Sequence, residues 1–352
     1  MLDFTSALYL GLRHPTRLLR PWSQFTTGVP AALASPPGAD QVALELAAMQ
    51  GCEHGVLGPS TFHLFWDLFG MLARRPVAIY LDAGLYPIAR WGIERATARG
   101  VAAHEFAHYD AEALHRKLRQ KARNGLRPLV VTDGFCPGCG KPAPLSAYLD
   151  RVRASGGSLI VDDTQSLGIF GHSPDADAPY GRGGGGMLPR IQIGGPDVLV
   201  ISSLAKGFGA PVAILSGSRK AVEEFNANSE TRVHCSPPSV AAVRAAEHAL
   251  RVNRRNGDRL RLRLAELVSR FRRRAAKAGF RFTGGLFPIQ TLAAASQADT
   301  RRLHERLLDR GVRTVLHQAS EGYGRGLRIS FVITARHTPE AIDRAIRMLA
   351  DT

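Results

Sequence analysis

Five short apolar runs with β character recur through the first two thirds of the chain, each separated from the next by a helical pattern. They are GVLG near 55, VAIYLD near 77, LVVTD near 129, SLIVDD near 158 and DVLVISS near 197. Alternation of this kind points to an α/β fold, a mostly parallel sheet with helices on both faces. Such sheets take their ligands beyond the carboxyl ends of the strands. The residues that directly follow the five runs are therefore where chemistry is expected. After Pro237-Pro238 the pattern changes to a long Ala/Arg-rich helical region from Ser239 to about Gly279. Shorter elements follow: a strand-like FPIQTLAAA, a helix around Thr300 to Arg310, a strand in GLRISFVIT, and a last helix with Thr338 as N-cap and Pro339 in its first position. With 352 residues there is room for a large α/β domain and a smaller one. The expected division is an N-terminal segment 1–50, a large domain 51–238 and a small C-terminal α+β domain 239–352.

No stretch of about 18 consecutive apolar residues occurs, and no basic-apolar-small signal pattern opens the chain, so the expectation is a soluble cytoplasmic protein without a membrane span. The four cysteines, Cys52, Cys136, Cys139 and Cys235, are too few and too uneven for a disulfide framework. A formal charge of +16 raises nucleic acid as a partner. The Arg-rich stretch from Arg251 to Arg274 has no interleaved aromatics, however, and reads as a solvated helical face, so no nucleic-acid partner is expected. Gly181 to Gly186 reads as a flexible loop.

Lys206 is delivered by an apolar run into the glycine turn of SSLAKGFGAP. Burial lowers an amine's pKa, and a neutral amine forms a Schiff base with an aldehyde. The S-x-x-K spacing alone also fits a Ser-Lys acyl enzyme or a surface turn. Asp162 closes the run SLIVDD at a strand's carboxyl end, where an unpaired carboxylate is costly. A protonated pyridine nitrogen would be a good partner and would stay an electron sink; a helix cap or a loop aspartate is the plainer alternative. Asp162 and its neighbour Asp163 should point to opposite sides. Ser60, Thr61 and Phe62 precede the helical run HLFWDLFGML, where free N–H groups favour a phosphate, although from these residues alone a plain N-cap is the stronger reading. Cys136-Pro-Gly-Cys139 has redox-motif spacing but reads as a turn with two reduced thiols, since a structural zinc site wants four ligands. His104, His108 and His115 make no metal set in the sequence.

In order and spacing these residues resemble the α-oxoamine synthases, a pyridoxal 5'-phosphate (PLP)-dependent family of aminotransferase fold type I. The likeness runs nearly end to end. It takes in LDFTSALYLGL at 2–12, the Ser60-Thr61-Phe62 turn, FAHYD at 106–110, VVTDGFCPGCGKPAPL at 130–145, SLIVDDTQSLGIFG, GRG at 181–183 and SSLAKGFG. The resemblance implies a fold-type-I homodimer with its site at the subunit interface. By position it makes Lys206 the Schiff-base lysine and Asp162 the pyridinium partner. Thr61 and Phe62, with Ser60 and Ser203, would serve the phosphate, Asp133 would lie near the cofactor, and Arg328 would receive the substrate carboxylate. Ser236, in His234-Cys235-Ser236, would reach the neighbouring subunit's phosphate.

Two departures concern the ring. Tyr86 stands where the family stacks a histidine on the cofactor, and tyrosine can stack without serving as the same acid. Gln165 replaces the histidine at the cofactor's phenolic oxygen and donates a hydrogen bond without carrying charge. Ala7 replaces an asparagine in the N-terminal segment. The activity implied is that of a PLP-dependent acyltransferase, condensing a small α-amino acid with an acyl thioester and releasing its carboxylate. A PLP aminotransferase or lyase is the alternative the two departures leave open, and from another class a scaffold that keeps only the fold.

Overall fold

The computed structural model describes residues 1–121, 125–292, 296–318 and 326–351. All five apolar runs are strands of one seven-stranded sheet. Its order is His54–Gly58, Ala213–Gly217, Val198–Ser203, Ser158–Asp162, Arg127–Asp133, Val77–Asp82 and Ala102–Phe106. Only Ala213–Gly217 runs antiparallel to its neighbours; the other pairings are parallel. The central strands read as unbroken apolar runs because both faces are covered, while the edge strands His54–Gly58 and Ala102–Phe106 are only partly buried. Ala78, Tyr80, Val130, Leu159 and Val161 join one buried cluster, while Val77, Ile79, Leu129, Val131 and Ile160 join another. Helices Thr61–Leu72 and Pro87–Thr97 supply the second cluster, and Ala39–Met49, Ala111–Lys121 and Leu145–Arg153 contribute to the first.

Past the two prolines a 38-residue helix, Val240–Lys277, opens on Ser239, whose hydroxyl accepts from the Ala242 N–H. A four-stranded antiparallel sheet follows, in the order Phe282–Thr283, Ile289–Leu292, Leu327–Val332 and Val315–Gln318. The last three residues of the expected FPIQTLAAA strand lie outside the described residues. Helices Gln297–Asp309 and Pro339–Ala350 complete this part, and the Thr338 hydroxyl accepts from the Ala341 N–H as the sequence predicts.

The N-terminal segment binds both parts. Leu2–Asp3 pairs in parallel with Val312–Arg313, and the Val332 and Ala335 amides donate to the carbonyls of Phe4 and Tyr9. The Tyr9 hydroxyl crosses to Gln165 at 2.8 Å. Two expectations change. The stretch 181–186 is close-packed instead of flexible: a Cβ on Gly185 would meet the Met49 carbonyl and one on Gly186 the Asp163 carboxylate. The Arg-rich helix is not solvated throughout, because Arg261 is buried and donates to the Gly168 carbonyl, Asn253 and Asp258. Among the described residues no helix is long and apolar enough to cross a membrane.

Candidate active site

A cavity of about 510 Å³ opens where the carboxyl ends of the large sheet's strands meet one face of the small sheet. From the large part it takes Thr61, Gly84, Tyr86, Asp133, Cys136, Asp162, Thr164, Gln165, Ser203 and Lys206. From the small sheet it takes Ile289, Thr291, Val315, His317, Ser330 and Val332. Strand register explains that second set: Thr291 pairs with Ser330, Val315 with Ser330 and Ile289 with Val332, so these side chains share one face. A larger groove of about 730 Å³ lies near Val77, Arg127 and Ser158. That is at the strands' amino ends, the wrong end for a ligand in a parallel sheet.

Lys206 follows the Val198–Ser203 strand, and its Nζ lies 5.7 Å from the centre of the Tyr86 ring. Burial lowers its pKa, against the pull of Asp162 and Asp133. Asp162 and Asp133 are paired by register at the ends of adjacent strands. Burial raises both carboxyls above the usual range; at Asp162 the Thr164 N–H, at 3.0 Å, and Lys206 work the other way. Asp163 points to the opposite side of its strand, where its Oδ2 accepts from the Met187 N–H at 2.8 Å, and burial lifts it to about 7. The expected divergence of the two aspartates is what the structure shows.

Ser60 occupies the N-cap position of Thr61–Leu72, but its hydroxyl makes no cap bond and meets His63 Nδ1 at 2.9 Å instead. The first-turn amides beside Thr61 thus have no side-chain cap. Across the cavity, the Ser203 amide donates to the Thr164 hydroxyl and the Ser203 hydroxyl accepts from the Ala205 amide. The Gln165 carbonyl is taken by Tyr9, which leaves its amide group to donate. The Tyr86 amide lies 3.4 Å from Asp133.

Of the residues singled out in the sequence, Thr61, Tyr86, Asp133, Asp162, Gln165, Ser203 and Lys206 are brought together here. Ser60 and Phe62 flank Thr61 without lining the cavity. Ser236 is exposed near a small separate hollow with Pro59 and His63. Arg328 lies beyond the lining, opposite His317 in register and so on the same sheet face, and no carboxylate among the described residues forms an ion pair with it. Sequence reading missed Thr291, His317 and Ser330, whose side chains form a chain: His317 Nε2 to the Ser330 hydroxyl at 2.9 Å, and that hydroxyl to Thr291 at 2.7 Å. Their alternation along two strands was the available signal.

The site also meets the needs of a phosphorylated pyridine aldehyde. Two buried carboxyls face one lysine; burial disfavours their charged forms, and a pyridinium beside Asp162 would favour its carboxylate. An uncapped helix start provides N–H donors for a phosphate.

The family model for aminotransferases of class I and II matches residues 45–349. The chain belongs to this family. An 8-amino-7-oxononanoate synthase from Sodalis glossinidius (strain morsitans) is 31% identical over 363 residues, covering 99% of this chain and 87% of that protein. That relative places the chain on the family's α-oxoamine synthase branch. Among solved structures, a serine palmitoyltransferase from S. paucimobilis with PLP-myriocin bound superposes with a TM-score of 0.84 at 18% identity, over 99% of this chain and 86% of that one. An 8-amino-7-oxononanoate synthase from Francisella tularensis gives 0.75 at 16% identity, over 100% and 97%. At these identities the structural matches establish the fold, that of type I in the family.

Proposed function

We propose that this chain is a PLP-dependent acyltransferase that joins a small α-amino acid to an acyl thioester and releases carbon dioxide. The observation that carries the reading is the meeting of Lys206, Asp162 and the uncapped start of Thr61–Leu72 in one cavity, in a chain 31% identical to an 8-amino-7-oxononanoate synthase. PLP, when bound, supplies an electron sink for a carbanion at the amino acid's α-carbon. The chain's own residues do the rest. Lys206, whose pKa burial lowers, would be the amine for the cofactor's aldehyde and afterwards a base at the α-carbon. Asp162 holds the proton on the pyridine nitrogen. Thr61 and Ser203, with the Phe62 amide, would hold the phosphate, Gln165 would donate to the ring's oxygen, and Tyr86 would face the ring. Asp133 accepts from the Tyr86 amide, and Arg328 would receive the substrate carboxylate, for which a guanidinium can supply two parallel hydrogen bonds. Ser236 reaches the phosphate of a second subunit in a homodimer, and the enzyme works in the cytoplasm.

The test combines spectra with product analysis. Purified protein should be yellow, borohydride should bleach it and fix the cofactor on Lys206, and Lys206→Ala should abolish that linkage. With amino acid and acyl-CoA the wild type should release free thiol and carbon dioxide together, and Arg328→Lys should weaken amino-acid binding by about 1.5–3 kcal/mol. Formation of a 2-oxo acid without thiol release would point to an aminotransferase instead, and a colourless protein after PLP loading would remove the cofactor assignment.

A further inference from the structure

Three adjacent parallel strands, Arg127–Asp133, Val77–Asp82 and Ala102–Phe106, end side by side at the cavity's edge. The loops that leave them converge. Asp82 closes the middle strand, His108 comes two residues after the third, and Cys136 and Cys139 lie in the short hairpin Phe135–Cys136 / Lys141–Pro142 just past the first. One ligand atom each from His108, Cys136 and Cys139 falls within 4.8 Å of the others, the one such group among the described residues. This cluster takes no part in the reaction argued above.

We propose that His108, Cys136 and Cys139 bind a zinc ion in the cavity wall, with water from the cavity as its fourth ligand.

Four features support the assignment. The donor set is two thiols and an imidazole, which zinc prefers, and C-x-x-C is the spacing of zinc-binding hairpins. The hairpin is folded around the first sulfur: the Cys139 amide points at Cys136 Sγ at 3.5 Å, and the Gly140 amide donates to the Cys136 carbonyl at 2.9 Å. Gly140 makes that turn at φ +69°, where a Cβ would strike the backbone of Gly284. The histidine is oriented as a ligand should be. Its Nδ1 meets Asp82 at 2.5 Å, leaving Nε2 on the cysteine side, 3.8 Å from Cys139 Sγ. A carboxylate on the far nitrogen of a zinc-bound histidine fixes its tautomer and direction. Asp82 is itself fixed, fully buried and accepting from the amides of Gly84 and Tyr109. Finally, three protein ligands leave one tetrahedral position, the pattern of an open zinc site. Cys136, Pro137 and Gly138 line the cavity, so water reaches it there. Binding releases the two thiol protons to solvent and changes no oxidation state.

The experiment uses the PLP-loaded wild type, kept reduced with a phosphine and incubated with zinc, then desalted. Elemental analysis should give one zinc per chain. X-ray absorption at the zinc edge should show two sulfurs at about 2.3 Å with one imidazole and one oxygen. Alkylation should spare Cys136 and Cys139 until a chelator is added, the same protein before and after chelation serving as its own control. Cys136→Ser/Cys139→Ser should lose the metal, and the wild-type absorption and alkylation results decide the matter if that variant fails to fold. Zinc at background level in the reduced wild type would overturn the proposal. So would zinc retained by the double variant, or a Cys136–Cys139 disulfide persisting in the zinc-treated protein, which would make the pair a redox couple. Each result stands apart from whether the chain transfers acyl groups, since none is read from activity.

Discussion

Asp162 and Asp163 are consecutive and both buried, yet they have different tasks because successive side chains on a strand leave opposite faces. Asp162 faces the cavity. Asp163 lies under the close-packed glycines, where its carboxylate accepts from the Met187 amide and burial lifts its pKa to about 7. An unfolded aspartate titrates near 3.9. Between roughly pH 4 and 7 the folded chain therefore holds the proton at Asp163 and the unfolded chain does not, so stability falls as pH rises through that window. Asp163→Asn cannot lose a proton there. Its thermal unfolding midpoint, measured against wild type, should shift in the variant's favour from pH 5 to pH 8; a constant gap between the two proteins would show that Asp163 is ionised throughout.

At the scale of elements, the central parallel strands were legible because burial on both faces makes them continuous apolar runs; the parallel edge strand Ala102–Phe106, only partly buried, is not among those runs. Ala213–Gly217 was not anticipated: it follows the glycine turn after Lys206 directly, with no helix to announce it, and it reverses direction. The convergence of His108 with Cys136 and Cys139 could not be read either, since it depends on which strands are neighbours and not on spacing along the chain. Helix starts show the same limit. Ser60, Ser218, Ser239, Ser296 and Thr338 all stand at N-cap positions, and all but Ser60 accept a bond from an amide three residues on. Sequence does not distinguish a capping serine from one whose helix start serves a ligand. Ser239→Ala and Thr338→Ala should each cost about 1 kcal/mol in urea unfolding. Ser60→Ala should cost under about 0.5 kcal/mol, the level of a surface change. An equal loss at Ser60 would mean that its hydroxyl does cap the helix in solution.

For the whole molecule, the proposed homodimer can be tested at the aromatic surface around the cavity's mouth. Phe62 packs against both Trp66 and Trp91, its ring centroid 5.7 Å from the first and 6.4 Å from the second. Phe62 is 38% exposed, Trp91 47% and Tyr86 52%. Thr61, between Ser60 and Phe62, lines the cavity, so whatever covers these rings also closes the site. Contiguous exposed aromatics are uncommon on a monomer, and interface cores are enriched in them. The homodimer expected from the family would bury this patch. Trp91→Glu places a charge in it, and by sedimentation should raise the dimer dissociation constant roughly tenfold or more, the equivalent of about 1.4 kcal/mol. PLP retention should fall in parallel where a partner subunit encloses the cofactor, as the proposed homodimer requires. Leu308→Glu serves as the control, because Leu308 is 42% exposed but lies on the Gln297–Asp309 helix away from the cavity lining. Dimerisation unchanged in Trp91→Glu but lost in Leu308→Glu would move the interface to the Gln297–Asp309 helix and leave the aromatic patch to another role.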